Sequence, residues 1–343
     1  EPVCTIHITA GGESDTIELG DFSKMDEQRY VSIGDGKAYL VSHDPLDEFD
    51  AVLEDMILDD TIPEFDTAEQ LEFSGSENYT ILRDEDGKSL CADDSYFTDG
   101  QPLDTDNVET FLSVIQSLSL TNYVSYHVTD EELAAFGLNG PELTIKIAYS
   151  TSNEDGNTED SGALLLRISR NPEEAAASEK SEDDLPDVTC YVRVGQSQIV
   201  YEISQDVYDQ LTAVSYDTLR HQILFTADFE TVTRIDVALS GENYTFTYHP
   251  PEDKDAEGTW TYNGEEFDVY DLETALRVIS AFRFTDETPA GQEEISLTVH
   301  LDNEDFPTVT LMLYRLDGTN CVAAVDGKTV ALVSRSKTVD LIE

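Results

Sequence analysis

The chain has 343 residues, enough for two or three domains with cores of their own. Nineteen Lys and Arg face 73 Asp and Glu, a net charge of −54. Such an anion repels phosphate backbones and anionic lipid headgroups, which argues against nucleic-acid binding. What remains is an acidic solvated coat suited to a medium rich in divalent cations, to a halophilic cytosol or to basic partners.

The first elements are strands. Thr5-Ile6-His7-Ile8 alternates with the period of a half-buried strand, and Tyr30-Val31-Ser32-Ile33-Gly34 is a second strand. Asp35-Gly36-Lys37 suits a tight hairpin turn. Tyr39-Leu40-Val41-Ser42 and a short helix over 44–53 follow. Next comes a hairpin, with 73–82 expected to pair with 88–92. The helix expected over 105–118 carries Val108, Phe111, Leu112, Ile115 and Leu118 on one face, and Asp104 precedes it as an N-cap. A shorter helix over 130–136 stops at Gly137. Strands return at Leu143, at Leu164-Leu165-Leu166-Arg167-Ile168 and at Tyr191, followed by a helix over 205–211. Within this stretch 152–161 reads as a polar loop and 170–187 as an exposed, mobile insertion. The final third repeats the order: a hairpin of 235–248 with Thr259-Trp260-Thr261-Tyr262, a helix over 269–282 behind Asp268, and strands through Ser334 with Asp326-Gly327-Lys328 at a turn.

Three strings recur in order. Tyr30-Val31-Ser32-Ile33-Gly34 returns as Tyr191-Val192-Arg193-Val194-Gly195, Glu77-Asn78-Tyr79-Thr80 as Glu242-Asn243-Tyr244-Thr245, and the helix from Asn107 as the helix from Asp271. The offsets are 161, 165 and 164 residues. The reading is an α+β fold, built as tandem repeats of antiparallel β-meander plus β-hairpin–helix modules. The expected divisions are 1–55, a strand-rich half-module; 56–213, a full repeat; and 214–343, a second repeat whose C-terminal copy is degenerate. Whether each strand-rich half joins the hairpin before it or after it is open. Glu1-Pro2-Val3-Cys4-Thr5-Ile6 matches Gly140-Pro141-Glu142-Leu143-Thr144-Ile145, so the native protein is expected to extend upstream of Glu1, where a targeting segment or membrane anchor would lie.

No chemical signature rises above this background. Cys4, Cys91, Cys190 and Cys321 are far apart, without a CxxC or zinc pattern, and Cys4 and Cys190 sit in strand strings as packing residues. The histidines are His7, His43, His127, His221, His249 and His300. His7 and His300 align with Lys146, which marks a solvated strand face rather than a metal site. There is no HExxH or GxSxG string. Ser334-Arg335-Ser336-Lys337 has S-x-x-K spacing without companion motifs. Asn153-Glu154-Asp155-Gly156-Asn157 and Glu159-Asp160 offer oxygens for calcium but depart from EF-hand spacing, so only weak, non-specific divalent-cation binding is expected. The sequons at Asn78 and Asn243 are strand residues, and Tyr30, Tyr191, Trp260 and Tyr262 are packing residues. No catalytic, cofactor or metal residue is assigned.

Ala135-Phe136-Gly137-Leu138-Asn139-Gly140-Pro141 resembles a "yGL-x-x-P" signature. Tyr191-Val192-Arg193-Val194 with Ile199-Val200-Tyr201-Glu202-Ile203 resembles a "Yv-v … vy-v" strand pair, and Leu219-Arg220-His221-Gln222-Ile223-Leu224 an "lRd-x-l" step. Together these resemble the domain of unknown function 4340 family over nearly the whole chain. The resemblance implies a bacterial protein with one N-terminal transmembrane segment and the repeated domain outside the membrane, encoded beside ABC-type transporters. It implies no catalytic residues. The expectation is a non-enzymatic, membrane-anchored extracytoplasmic scaffold or partner-binding module, with transporter subunits as partners. A cell-surface ligand-binding or adhesion protein and an envelope hydrolase with an inter-module site are the alternatives.

Overall fold

The structure is a computed structural model that describes residues 1–49, 56–153, 158–178, 188–251 and 258–342. The chain divides into two compact units, Glu1–Asp60 and Thr61–Glu343.

The first unit is an antiparallel meander of β1 (Cys4–Ala10), β2 (Glu13–Ser23), β3 (Gln28–Ser32) and β4 (Tyr39–Val41), followed by helix α1 (Pro45–Phe49). Of the helix expected over 44–53, residues 50–53 lie outside the described residues. Leu19 and Val31 are buried, while Tyr30, Ile33, Tyr39 and Leu40 are exposed. Arg29 is buried because it is neutralised: its Nε donates to Asp44 at 2.5 Å and its Nη1 to the Gly20 carbonyl at 2.7 Å.

The second unit holds two sheets. The first uses β5 (Thr67–Ser74), β6 (Asn78–Arg83), β7 (Tyr96–Thr98) and β8 (Gln101–Leu103), then helix α2 (Thr105–Gln116), β9 (Tyr123–Ser125) and α3 (Asp130–Ala135). It continues with β10 (Leu143–Ser152), β11 (Thr158–Arg170), α4 (Pro172–Ser178), β12 (Cys190–Val194), β13 (Val200–Ile203), α5 (Gln205–Thr212) and α6 (Tyr216–Leu219). The second sheet uses β14 (Val232–Leu239), β15 (Glu242–His249), β16 (Thr259–Tyr262) and β17 (Glu265–Phe267), then α7 (Tyr270–Arg277) and β18 (Ala281–Phe284). It closes with β19 (Glu293–Leu301), β20 (Thr308–Arg315), β21 (Asn320–Val325), β22 (Lys328–Ser334) and α8 (Arg335–Ile342).

Their strand orders are β8-β7-β6-β5-β10-β11-β12-β13-β9 and β17-β16-β15-β14-β19-β20-β21-β22-β18. The order is the same in both. Each strand-rich half extends the sheet of the hairpin half before it, through β5 with β10 and β14 with β19. Neighbouring strands run antiparallel and helices lie outside the strand series, an α+β fold.

Period-two patterning places the cores. Ile295, Leu297, Val299 and Leu301 alternate inward along β19, and Ile145 and Ile147 do the same on β10. Val108, Phe111, Leu112 and Ile115 of α2 are buried, as the spacing predicts. Asp104 caps α2 by accepting from the Asp106 and Asn107 N–H groups. Gly137 takes φ +73° after α3, and a Cβ there would meet Ser169 Oγ at 2.6 Å, so the stop signal is both conformational and steric.

Several expectations are corrected. Residues 88–92 are not a strand; on the side away from β5, β6 pairs with β7. Ser89 and Asp84 side chains take backbone N–H groups between Asp84 and Cys91, which competes with a ladder. The helix expected over 269–282 ends at Arg277, and Ala281–Phe284 pairs with β22 instead. The run Val278-Ile279 followed by Phe282 and Phe284 favours extended backbone. The α7 N-cap is Val269, without a side-chain bond, and Asp268 accepts from the Tyr270 N–H at 3.0 Å. Part of the 170–187 insertion is helix α4: Asn171 accepts from the Glu173 and Glu174 N–H groups, and Ala175 to Ala177 favour helix. Residues 179–187 lie outside the described residues. Finally, Lys146 stands opposite Glu72, whereas Thr298 stands opposite Asp236 and His300 reaches Asp236 from two positions along. Shifting by two keeps the strand face, so the alignment of His300 with Lys146 slips in register without inverting the side.

Candidate functional site

The site forms where the β6–β7 connection meets the segment after α6. The connection folds back on itself, with the Asp94 N–H donating to the Cys91 carbonyl at 3.2 Å. Ser89 Oγ donates to Asp94 Oδ2 at 2.5 Å, and the Asp93 N–H points to the Cys91 sulfur. The Asp94 side chain is only 1% exposed, a buried carboxylate that requires a partner.

His221 is that partner. The Asp104 N–H donates to the Leu219 carbonyl at 3.0 Å, which ties the start of α2 to the end of α6 and brings His221 alongside. Immediately beyond it the chain is held by the second sheet's half: the Ala281 N–H donates to the Gln222 carbonyl at 2.7 Å, and Ile223 bridges Ser280. His221 Nε2 lies 2.8 Å from Asp94 Oδ1, and Nδ1 lies 3.2 Å from Asp104 Oδ2. Asp104 therefore caps α2 with one oxygen and holds the imidazole with the other.

Cys91, Asp94 and His221 offer donor atoms that all lie within 4.8 Å of one another. They border a cavity of about 580 Å³, which Asp104, Phe225 and Arg277 also line. Burial depresses the basicity of His221, but the Asp94 hydrogen bond and the Asp94, Asp104 and Asp106 charges outweigh it, so its pKa lies above the ordinary histidine value. Burial pushes the Cys91 thiol up; the Asp94, Asp93 and Asp104 charges add to this against the opposing Asp93 N–H. A reactive thiolate needs electropositive surroundings, and Cys91 has carboxylates. Nor does the imidazole face the sulfur as a base would, because Asp94 takes Nε2.

The other sequence candidates stay apart. His7 contacts Thr16, His249 contacts Thr261, His127 contacts Gln198 and His300 contacts Asp236. Ser334 hydrogen-bonds Ser336 where β22 passes into α8. Asn78 opens β6, and Asn243 is the second residue of β15. Of the calcium candidate, residues 154–157 lie outside the described residues, and Glu159 and Asp160 fall in β11. A second polar constellation ties Arg170 Nη2 to Glu142 Oε1 at 2.7 Å and the Tyr208 hydroxyl to Glu142 Oε2 at 2.7 Å, a structural knot joining β10, β11 and α5.

Sequence reasoning missed the Cys91–Asp94–Asp104–His221 cluster. One signal was available: in the "lRd-x-l" step His221 is the residue that departs from the pattern. Nothing local links it to Cys91, 130 residues away.

Among the described residues no helix is long and apolar enough to cross a membrane. No curated protein and no solved structure matches the chain. The profile of one family, described as a domain of unknown function (DUF4340), matches residues 96–298, from β7 into β19, and includes Asp104 and His221. Since that match spans more than half of the chain, the protein belongs to the domain of unknown function 4340 family.

Proposed function

We propose that this chain is a non-enzymatic, extracytoplasmic scaffold or partner-binding module of a membrane-anchored bacterial protein, accessory to an ABC-type transport or envelope system. In this reading the two nine-stranded sheets are tandem copies of one hairpin–helix–meander module. The observation that carries it is their common strand order within one compact unit. Copies of a sheet present broad, similar faces, which suit contact with an extended partner better than chemistry on a small molecule. The charge of −54 favours a partner with basic surfaces. The carboxylates around Cys91 favour a binding or structural use of the cluster over nucleophilic catalysis. Location and transporter partnership rest on the family resemblance.

The test is crosslinking in native membranes followed by capture of the full-length protein. Transporter subunits recovered as dominant partners support the reading. Recovery from the soluble cytoplasm with no membrane partner overturns it.

A further inference from the structure

Cys91, Asp94 and His221 bring together a sulfur, a carboxylate oxygen and an imidazole nitrogen from two distant parts of the chain. Each donor is held from behind. Asp104 engages the Nδ1 side of His221, which aims Nε2 at Asp94. Ser89 engages Asp94 Oδ2, which leaves Oδ1 facing Nε2. The Asp93 N–H supports the Cys91 sulfur. A carboxylate behind an imidazole is the support that metal-bound histidines use.

The geometry points to a divalent-metal site of the zinc class at Cys91, Asp94 and His221, with Asp104 orienting the imidazole and a fourth position open to the cavity. The donor set selects the metal. Thiolate and imidazole suit zinc and cobalt, whereas calcium and magnesium take oxygen ligands. Bond lengths of about 2.0–2.3 Å in a tetrahedron place donors roughly 3.3–3.5 Å apart. The Nε2–Oδ1 spacing of 2.8 Å must open, and the widest spacing of up to 4.8 Å must close. Movements of about an ångström do both. Binding balances charge: the thiol proton and the proton shared by Nε2 and Asp94 pass to solvent, leaving thiolate and carboxylate against a dication. Asp93 and Asp106 add negative potential nearby. The bound ion would join the β6–β7 connection of the first sheet to the segment leading into the second. The competing arrangement is a protonated His221 tying Asp94 to Asp104, which gives the sulfur no task. Cys91 is therefore the residue that separates the two. The inference is independent of the scaffold reading.

The experiment titrates Co2+ into the full chain, stripped of metal, kept reduced, with excess calcium to saturate the acidic surface. The expected result is one tight equivalent per chain, with a thiolate-to-cobalt charge-transfer band and the intense visible bands of four-coordinate cobalt, displaced by Zn2+. C91S abolishes the charge-transfer band and weakens Zn2+ binding at least ~10-fold, and D104N weakens it about 10–100-fold. His7→Asn leaves both unchanged. Far-UV circular dichroism checks each fold; if His221→Ala fails to fold, C91S, which preserves side-chain size, decides the matter alone. Cobalt bound only with the weak spectrum of six-coordinate oxygen ligation, the same in C91S, overturns the site, as does absence of any tight equivalent.

Discussion

The two nine-stranded sheets share a strand order but fill the space beneath their helices differently. In the first, Phe73 on β5 stands across from Tyr79 on β6, and their rings stack with centroids 4.6 Å apart. Phe111 of α2 closes the group at 5.7 Å from Phe73. In the second sheet Val237 stands across from Tyr244, and α7 presents Ala275. With two smaller side chains, a groove of about 420 Å³ reaches the helix itself, bordered by Val237, Tyr244, Phe246, Ala275 and Leu341, whereas the cavity of about 340 Å³ beside Phe73 and Tyr79 is bordered by no residue of α2. The helices follow suit: α2 has 12 residues and a side-chain cap, α7 has 8 and none. One strand order thus tolerates two core fillings, because backbone pairing sets the order and side-chain volume sets only the helix seat.

That comparison is broken most severely by Phe111→Ala. It removes a buried ring from beneath α2 and should cost about 3–5 kcal/mol in urea unfolding. A loss below about 1 kcal/mol would mean that the first helix seat is as loose as the second. The reverse change, Ala275→Leu, extends into existing space and should stabilise by about 0.5–2 kcal/mol in the same assay. Destabilisation instead would show that the groove is too shallow to accept the added isopropyl group.

Capping sharpens the contrast. With chelator present, Asp104→Ala should cost about 1 kcal/mol, because it removes the α2 cap and a His221 partner together. Asp268→Ala should cost only a few tenths, since Asp268 serves a single turn N–H. Equal costs would refute the asymmetry.

The knot at Glu142 supplies a pH test, because the second sheet's Glu294 bonds Arg335 without a tyrosine. Burial raises the Glu142 pKa, but hydrogen bonds from Arg170 and Tyr208 outweigh it and hold the carboxyl below its ordinary value. A depressed carboxylate contributes stability that is present above its unfolded pKa and lost as pH falls through its folded one. Glu142→Gln should therefore cost about 1 kcal/mol at neutral pH, allowing for partial exposure, and the gap should close below about pH 4. A gap that persists in acid would assign its origin to shape rather than charge. The smallest effect is expected from Lys146→Ala, which breaks an exposed pair with Glu72 and should change stability by less than about 0.5 kcal/mol.

Legibility in the sequence followed the range of the forces involved. Helix α2 could be read because its apolar period and its Asp104 cap are both local. The β21–β22 turn could be read because Asp326 and Gly327 both take positive φ, 49° and 78°. The partner of β6 was misassigned because side-chain hydrogen bonds inside 84–94 carry no periodic trace. The length of α7 was misread because its amphipathic period continues past Arg277 while β22 offers the next residues a ladder. Edge strands β9 and β18 were not anticipated, since each joins its sheet far from its sequence neighbours.

The sequence by itself determined the strand alternation, the α+β class, the acidic character and the family, because these depend on local period, composition and short strings. Only the tertiary structure decided that each meander completes the sheet before it, and that Cys91, Asp94 and Asp104 meet His221. Those outcomes depend on which backbone edges find partners and on a buried carboxylate's need for a counter-charge, the first satisfied 56 to 83 positions along the chain and the second 127 positions away.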